Sequence, residues 1–211
     1  MLIVHHLNNS RSQRVLWMLE ELGLDYEIRY YKRRPDMSAP DELKNVHALG
    51  KAPIVEDVDS TGGKVVLSET GAIVEYLVEK SGGQLGPLQE ADALQYRQFL
   101  HYAEGSVMPV LFALLVVSKV PLLGRVAVKK IRPMLEVHLD YIEATLTKRA
   151  WFAGNKFTAA DIMMSFPLEA ARLRAGLGTS HPATIAWLDR IHGRPAYLRA
   201  LEKGGAYRFA E

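Results

Sequence analysis

Cysteine is missing from all 211 positions of the sequence. Structural disulfides, thiolate zinc sites and a cysteine nucleophile are therefore excluded. Any sulfur chemistry of this protein must use a thiol that a ligand brings. No other pattern of residues indicates a metal site, so we expect no metal.

A surplus of charge of one sign is also missing. The sequence has 26 Lys and Arg residues against 24 Asp and Glu, which gives a formal net charge of +2. No basic block is longer than a few residues, so we expect no nucleic-acid partner. The N-terminus lacks the basic-then-apolar profile of a secretory signal, which makes the cytoplasm the expected location.

The sequence has no long apolar run without interruption. The stretch 107–124 approaches the length of about 20 residues that a membrane-spanning helix needs. However, Pro109, Ser118, Lys119 and Pro121 interrupt it. We expect a buried core helix followed by a turn and no stable membrane insertion, while a role at a membrane surface or in a subunit contact stays open.

The strand and helix patterns of the sequence predict two domains of different class. Strand and helix patterns alternate over residues 1–82 in the order β-α-β-(α)-β-β-α, which is typical of a compact α/β domain. A linker at 83–89 follows, and strand signals then stop. Helical periodicity dominates residues 90–211, which predicts an all-α domain.

A polar turn at residues 6–14 separates the first strand from the first helix. Unpaired backbone N–H groups and the positive end of the helix dipole make such a helix start suitable for an anion, for example a thiolate. Ser10 and Gln13 also have the spacing of a capping box, in which the serine only satisfies backbone N–H groups. From these residues alone, capping is the more common role for Ser10.

Four motifs in order, together with the two-domain pattern, resemble the cytosolic glutathione transferase family, serine-type or a related class. The motifs are Ser10-Arg11-Ser12-Gln13-Arg14, Lys51-Ala52-Pro53-Ile54, Ser68-Glu69-Thr70-Gly71-Ala72-Ile73, and the segment from Phe157 to Ile162. The resemblance covers nearly the whole chain. It implies a thioredoxin-like βαβ-ββα domain followed by an all-helical domain, with glutathione as co-substrate, a small hydrophobic electrophile as second substrate, and a homodimer.

The resemblance implies a catalytic hydroxyl at the polar turn. Ser10 is the first candidate to contact the glutathione sulfur, and Ser12 and Asn9 are the alternatives. His5 and His6 stand where tyrosine-type members carry their tyrosine, but a histidine at a strand end is more often structural. Arg14, the last residue of the motif, either braces the site by pairing with an acidic group or lies on a solvated helix face.

The resemblance also implies a binding frame for the rest of glutathione. The loop of Lys51, Ala52, Pro53 and Ile54 corresponds to the one whose cis-proline presents backbone groups to the glutathione cysteine, with Lys51 near a ligand carboxylate. Glu69 and Thr70 correspond to the helix start that holds the γ-glutamyl end. The family usually has serine at the position of Thr70, and the hydroxyl is retained here.

The acceptor site is expected between the two domains, along the first long helix of the second half. Its candidates are His101, Tyr102, Gly105 and Met108, which fall on or beside one helical face. Phe112 has the same spacing, but we expect it in the core. The resemblance makes Glu104 a candidate for reaching glutathione across a dimer interface. A capping box of Thr158 and Asp161 is assigned to folding.

We therefore expect a glutathione transferase that conjugates the thiolate to hydrophobic electrophiles, with glutathione peroxidase activity as a further possibility. One alternative is a glutathione-dependent disulfide-bond reductase, in which Asn9 or a backbone donor matters more than Ser10. Another is a non-catalytic glutathione-binding or ligand-carrier protein. The retained Ser10, Pro53 and Glu69–Thr70 set argues against a mere scaffold.

Overall fold

The computed structural model describes residues 1–59, 61–121 and 123–210, and the chain divides into two compact units. Unit 1 combines Met1–Leu85 with Gly193–Glu211, and unit 2 is Gly86–His192. The sequence predicts 1–82 and 90–211 as domains, whereas the contacts group the last helix with unit 1.

Unit 1 contains a mixed four-stranded sheet of order β2-β1-β3-β4. Strand β1 lies in the middle, parallel to β2 and antiparallel to β3, and β4 is antiparallel to β3. The central position of β1 explains why its residues are almost all buried. The elements of this part are β1 (Leu2–Leu7), α1 (Ser12–Leu22), β2 (Tyr26–Tyr31), β3 (Ile54–Val58), β4 (Lys64–Ser68) and α2 (Thr70–Lys80).

Helix α1 is buried on nearly all sides, because it packs on the sheet and is also covered by helix α8 (Pro195–Gly204). The two helices approach closely at Gly204, where a Cβ atom would lie 2.5 Å from the Gln13 side-chain oxygen. The Gln13 amide donates to the carbonyl of Ala200 at 2.8 Å. A side chain at position 204 would therefore displace the Gln13 side chain.

A charge cluster joins the C-terminal part of α1 to α8. The carboxylate of Glu20 accepts hydrogen bonds from Arg199, Lys203 and Tyr26. Burial opposes ionisation of Glu20, but these donors outweigh it and lower its pKa to about 2. Arg194 binds Glu21 through two further hydrogen bonds. The last helix is thus an integral part of unit 1.

Unit 2 consists of helices, as predicted. Their bounds are α3 (Glu90–Tyr102), α4 (Met108–Val117), α5 (Gly124–Lys148), α6 (Ala159–Ala175) and α7 (Pro182–His192). The sequence predicts one continuous helix over 90–116, but a π-helical turn at Ala103–Val107 divides it into α3 and α4. Such turns insert an extra residue into the helix and are frequent at functional sites.

Helix α6 starts with a fully satisfied capping box. Asp161 accepts hydrogen bonds from the Thr158 backbone N–H (2.9 Å) and hydroxyl (3.2 Å). It also accepts from the backbone N–H of Phe152 and the indole N–H of Trp187. Burial raises the pKa of Asp161 to about 6, although all four donors favour the charged form.

The apolar stretch of the second half is only partly buried. By length and composition alone, Glu90–Val117 would pass as a membrane span. Of the apolar 18-residue segment within it, 33% is buried. The helix ends at Val117, before Lys119 and Pro121, as the interruptions predict. Met108, Leu111 and Leu114 are buried, but Phe112 is 61% exposed, so its assignment to the core is wrong.

Candidate functional site

Three chain segments meet at one edge of the sheet in unit 1. In the register of the sheet, His5 near the end of β1 lies opposite Ile54 at the start of β3, and Ile54 lies opposite Ser68 at the end of β4. The polar turn after β1, the Pro53 loop before β3 and the start of α2 after β4 therefore share this edge. The sheet topology thus brings together the predicted catalytic turn and the predicted binding frame.

The polar turn is shorter than predicted, and two other segments of the chain form hydrogen bonds with it. Strand β1 runs to Leu7, and α1 begins at Ser12. Asn9 adopts a φ of 51°, and its side-chain oxygen accepts a hydrogen bond from the backbone N–H of Arg208 at 2.8 Å. The guanidinium of Arg33 donates to the Asn9 carbonyl. The Asn9 side chain is thus engaged by the C-terminal segment of unit 1.

Ser10 and Ser12 form a short buried pair. Their hydroxyl oxygens lie 2.7 Å apart, and the backbone N–H of Ser12 donates to the Ser10 oxygen at 3.2 Å. The predicted capping box of Ser10 with Gln13 is wrong, because α1 begins later and the Gln13 amide points to Ala200 instead. Ser10 is 4% exposed and Ser12 is fully buried.

The start of α1 carries no anion of its own. No acidic residue lies in its first turn, and the N-cap residue, Arg11, makes no capping hydrogen bond with its side chain. The first turn of α1 therefore supplies no carboxylate of its own to the positive end of the helix dipole. Arg14 is buried to 1% exposure, which excludes the predicted alternative of a solvated helix face.

His6 extends the serine pair into the interior. Its Nδ1 lies 2.9 Å from the Ser12 hydroxyl oxygen, which also lies 3.2 Å from the backbone carbonyl of Leu7. Burial lowers the pKa of His6 to about 4, so the ring is neutral at physiological pH. His5, its neighbour, bonds Tyr31 and Glu56 instead. Sequence reasoning missed the link between His6 and Ser12, because their separation of six residues belongs to no helix or strand period.

The loop before β3 has the conformation that the resemblance implies. The Ala52–Pro53 peptide bond is cis. The β1–β3 ladder ends at the pair of His5 and Ile54, so the backbone of Ala52 and Pro53 lies beyond it. Lys51 is exposed, whereas Pro53 and Ile54 are buried. This geometry places the backbone carbonyls of Ala52 and Pro53 outside the ladder, where an extended peptide can bond to them.

The start of α2 is strained at one residue. Glu69 is the N-cap of α2 and has a φ of 71° and a ψ of 118°, a conformation that costs a non-glycine residue about 1–3 kcal/mol. Glu69 is exposed and Thr70 is buried. Strain of this kind persists at binding sites, where it aims a side chain or a backbone group at a ligand.

The acceptor candidates lie in unit 2 and do not share one environment. The hydroxyl of Tyr102 lies 2.6 Å from Nδ1 of His138 on α5. Gly105 is exposed within the π-helical turn and Met108 is buried to 8% exposure. His101 is exposed and Glu104 is half-buried. Because the extra residue of the π-turn shifts the register, the predicted single face does not continue from α3 into α4.

Thr158 and Asp161 also lie in unit 2, at the start of α6, where they form the capping box described above. Within the described parts of the chain, no three His, Asp or Glu side chains are grouped so that they could hold a metal ion.

Comparison with known proteins identifies the family. The family model "Glutathione S-transferase, N-terminal domain" matches residues 10–80, and "Glutathione S-transferase, C-terminal domain" matches residues 107–195. Glutathione S-transferase 3 of Schizosaccharomyces pombe is 36% identical over 96% of this chain and 88% of its own.

Solved structures agree with this result. A glutathione S-transferase of Actinobacillus pleuropneumoniae has a TM-score of 0.85 and 31% identity, covering 99% of this chain and 94% of its own. A family member from Pseudomonas fluorescens, solved with two glutathione molecules bound, has a TM-score of 0.79 and 25% identity, covering 95% and 92%. These matches confirm the thioredoxin-like and all-helical fold. The chain therefore belongs to the glutathione S-transferase family and is an enzyme of that family.

Proposed function

We propose that unit 1 binds glutathione at the sheet edge described above and that Ser10 stabilises its thiolate for attack on a small hydrophobic electrophile. With a peroxide as the electrophile, attack by the same thiolate gives the protein peroxidase activity. The observation that carries the proposal is the arrangement of the Ser10 hydroxyl at an α1 start without an anion of its own, on the edge that also holds cis-Pro53 and the strained Glu69.

The surroundings of the three hydroxyl and amide candidates favour Ser10. Ser12 is fully buried, and its hydroxyl contacts His6 and Ser10. The Asn9 side-chain oxygen accepts from the backbone of Arg208. Ser10 retains some exposure and lies beside the helix start, which supports it as the group that donates to sulfur.

The energy required is within reach of this arrangement. A cysteine thiol has a pKa near 8.5, and lowering it by two units takes about 2.7 kcal/mol. A hydrogen bond to a charged group contributes about 1.5–3 kcal/mol, and the helix dipole adds about 0.3–1 kcal/mol. One hydroxyl at a helix start therefore suffices, and no strong base is needed.

The rest of glutathione fits the same edge. The bound glutathione of the Pseudomonas fluorescens relative supports the ligand assignment. We assign the backbone of Ala52 and Ile54 around cis-Pro53 to the cysteinyl part, and Glu69 with Thr70 to the γ-glutamyl part. Exposed Lys51 is free to meet a carboxylate of the ligand. No metal has a part in this scheme.

The test is the ultraviolet thiolate absorbance of bound glutathione against pH, for the wild type and Ser10→Ala. We expect Ser10→Ala to raise the thiol pKa by about one to two units and to slow turnover of an aryl halide at pH 7 by about tenfold or more. Ser165→Ala is the matched control, since it removes a buried hydroxyl that bonds only within α6. An unchanged thiol pKa in Ser10→Ala rules out this role.

Assays on the wild-type protein distinguish the alternative activities. Retention on immobilised glutathione tests binding by itself. Turnover of aryl halides, peroxides and hydroxyethyl disulfide then distinguishes a transferase, a peroxidase and a disulfide-bond reductase. A protein that retains glutathione but turns over none of the three is a non-catalytic binder.

The acceptor site, the oligomeric state and the location are parts of the same proposal. We assign the electrophile to the region of His101, Tyr102, Gly105 and Met108, and a cross-subunit contact to Glu104. A homodimer is supported by an exposed apolar stripe along one face of α5, formed by Val126, Met134, Val137 and Tyr141. Sedimentation velocity measures the oligomeric state, and a monomer at micromolar concentration contradicts this part. The cytoplasm is the proposed location.

A further inference from the structure

One arginine side chain bridges the two peptide units that precede Ser10. Arg33 follows strand β2 by two residues. Its guanidinium donates from Nε to the carbonyl oxygen of Asn8 and from Nη2 to the carbonyl oxygen of Asn9, each at 3.2 Å. Both directions are fixed, because a guanidinium only donates and a carbonyl oxygen only accepts. The polar turn thus receives two hydrogen bonds from one planar group.

These two bonds restrain the backbone of Asn9. The Asn8 carbonyl belongs to the peptide unit before Asn9, and the Asn9 carbonyl belongs to the unit after it. Because each unit is rigid and planar, a group that binds both leaves Asn9 little freedom in φ and ψ. The φ of Asn9 is 51°, a left-handed conformation that is uncommon outside glycine. Arg33 therefore stabilises a corner that the backbone seldom adopts by itself.

Further contacts hold the guanidinium and the corner in place. The backbone N–H of Arg33 donates to the Asn8 side-chain oxygen at 2.8 Å, and Nη1 donates to the carbonyl of Met37 at 2.9 Å. The Asn9 side-chain oxygen accepts from the backbone N–H of Arg208. Arg33 thus ties the loop 33–37 to the polar turn.

The corner determines where Ser10 lies. The Asn9 carbonyl and the Ser10 N–H belong to one trans peptide unit and point in opposite directions. With this carbonyl bound to Arg33, the Ser10 N–H points away from the guanidinium. On its other side, the Ser10 carbonyl accepts from the backbone N–H of Gln13 at 3.2 Å. Ser10 is thus anchored by Arg33 before it and by helix α1 after it.

We propose that Arg33 is a positioning residue, which places the Ser10 hydroxyl against the glutathione sulfur by restraining Asn9. The inference rests on the proposed function, since it takes Ser10 as the donor to sulfur. A hydrogen bond weakens steeply when its distance and angle leave their optimum. A misplacement of about 1 Å far from the chemistry can cost about a hundredfold in rate. Loss of the Arg33 bonds therefore weakens the bond to the thiolate, although the hydroxyl remains.

A positive charge beside the turn has a second route to the same thiol, because it attracts a thiolate across space. The two routes differ in what can replace Arg33. Lysine keeps the charge but lacks the planar group with its fixed donors. Positioning is therefore lost in Arg33→Lys, whereas attraction by charge is retained.

The experiment measures the thiol pKa of bound glutathione, from thiolate absorbance, in Arg33→Gln, Arg33→Lys and their combinations with Ser10→Ala. We expect each single variant to raise the thiol pKa by about half to one unit. Because Arg33 acts through Ser10, neither should change the pKa further in the Ser10→Ala background. Arg34→Gln is the matched control, since this neighbouring side chain bonds Asp41, and we expect it to leave the pKa unchanged.

Three results would overturn the inference and leave the proposed function standing. A wild-type pKa in Arg33→Lys with a raised pKa in Arg33→Gln would mean attraction by charge. A rise that persists in the Ser10→Ala background would mean a route that bypasses Ser10. A raised KM for glutathione with an unchanged thiol pKa would mean a direct contact with the ligand. An unchanged pKa in Ser10→Ala overturns the catalytic assignment, and the inference falls with it.

The free energy of unfolding of each variant, measured by urea denaturation, separates positioning from support of the fold. A lower stability of both Arg33 variants with an unchanged thiol pKa would mean a purely structural role and would also overturn the inference. Arg33→Lys retains the charge and most of the aliphatic stem, so it carries the test where Arg33→Gln does not fold.

Discussion

Two helices of this protein, α1 and α6, begin with buried polar side chains, but their starts are built in opposite ways. At α6, Asp161 closes the helix start and accepts hydrogen bonds from four surrounding donors. At α1, the first turn has no acidic residue, and the hydroxyls of Ser10 and Ser12 bond each other and His6. The α6 start thus contains its own anion, whereas the α1 start does not.

The difference separates a helix start that serves folding from one that suits a ligand. A carboxylate at a helix N-terminus satisfies N–H groups and the dipole in the folded state itself. Without one, the same electrostatic attraction is available to an anion from outside, such as a thiolate. Removal or addition of single charges at the two starts tests this contrast.

The largest effect is expected from Asp161→Ala. It leaves the buried N–H groups of Phe152, Thr158 and Trp187 without their acceptor, and each such group costs about 1–3 kcal/mol. We expect a loss of about 3–5 kcal/mol in the free energy of unfolding, measured by urea denaturation, with the thiol pKa of bound glutathione unchanged.

Thr158→Ala is the matched variant at the same helix start, and it should cost only about 1 kcal/mol. Equal losses in the two variants would mean that the carboxylate contributes nothing beyond an ordinary cap, and the contrast with α1 would be lost.

The next largest effect is expected in the pH dependence of the free energy of unfolding, to which two groups contribute in opposite directions. Burial lowers the pKa of His6 from 6.5 to about 4, so the unfolded chain alone binds this proton in that window, and stability falls as the pH falls. Burial raises the pKa of Asp161 from 3.8 to about 6, so the folded chain binds this proton first, and stability rises as the pH falls. Each contribution is on the order of 3 kcal/mol, and the two oppose each other.

Urea denaturation of His6→Asn and Asp161→Asn at several pH values between 7 and 4 separates the two contributions. Relative to the wild type, we expect His6→Asn to gain stability as the pH falls and Asp161→Asn to lose it. The comparison with the wild type removes the contributions of all other titrating groups. Curves that run parallel to that of the wild type contradict the assigned shifts.

The smallest effect is expected when α1 is made to resemble α6. Arg11→Asp places a carboxylate at the α1 start, where it opposes a second anion. We expect the pKa of bound glutathione to rise by about half to one unit, as measured by thiolate absorbance. Arg11→Gln, which removes the cation without adding an anion, should give a smaller rise. An unchanged pKa in Arg11→Asp would mean that the α1 dipole does not act on the ligand.

Local patterns of the sequence predict most of the fold. The strand at 26–31 and the helix stop at Gly23 agree with the structure, because they depend on alternation and on a left-handed C-cap. The cis bond before Pro53 is implied only by the resemblance, since a proline at a strand start is usually trans. The division of the helix at Ala103–Val107 is not predictable from periodicity, because a single inserted residue leaves no marker in the composition.

Long-range partners explain what the sequence does not predict. The apolar residues of α8 recur with helical spacing whichever unit they contact, so their packing on α1 is not readable from residues 195–204 alone. In the same way, His6 meets Ser12 only because β1 and α1 lie against each other. Phe112 shows the reverse case, an apolar residue at core spacing that the fold leaves exposed.

The packing of α8 on α1 has a consequence for how the protein is made. The ribosome releases residues 1–85 first, but helix α8, which covers α1, and the basic residues that pair with Glu20 follow after residue 193. Unit 1 cannot complete its core before all of unit 2 has been synthesised. Unit 1 therefore reaches its final form last, although its sheet is translated first.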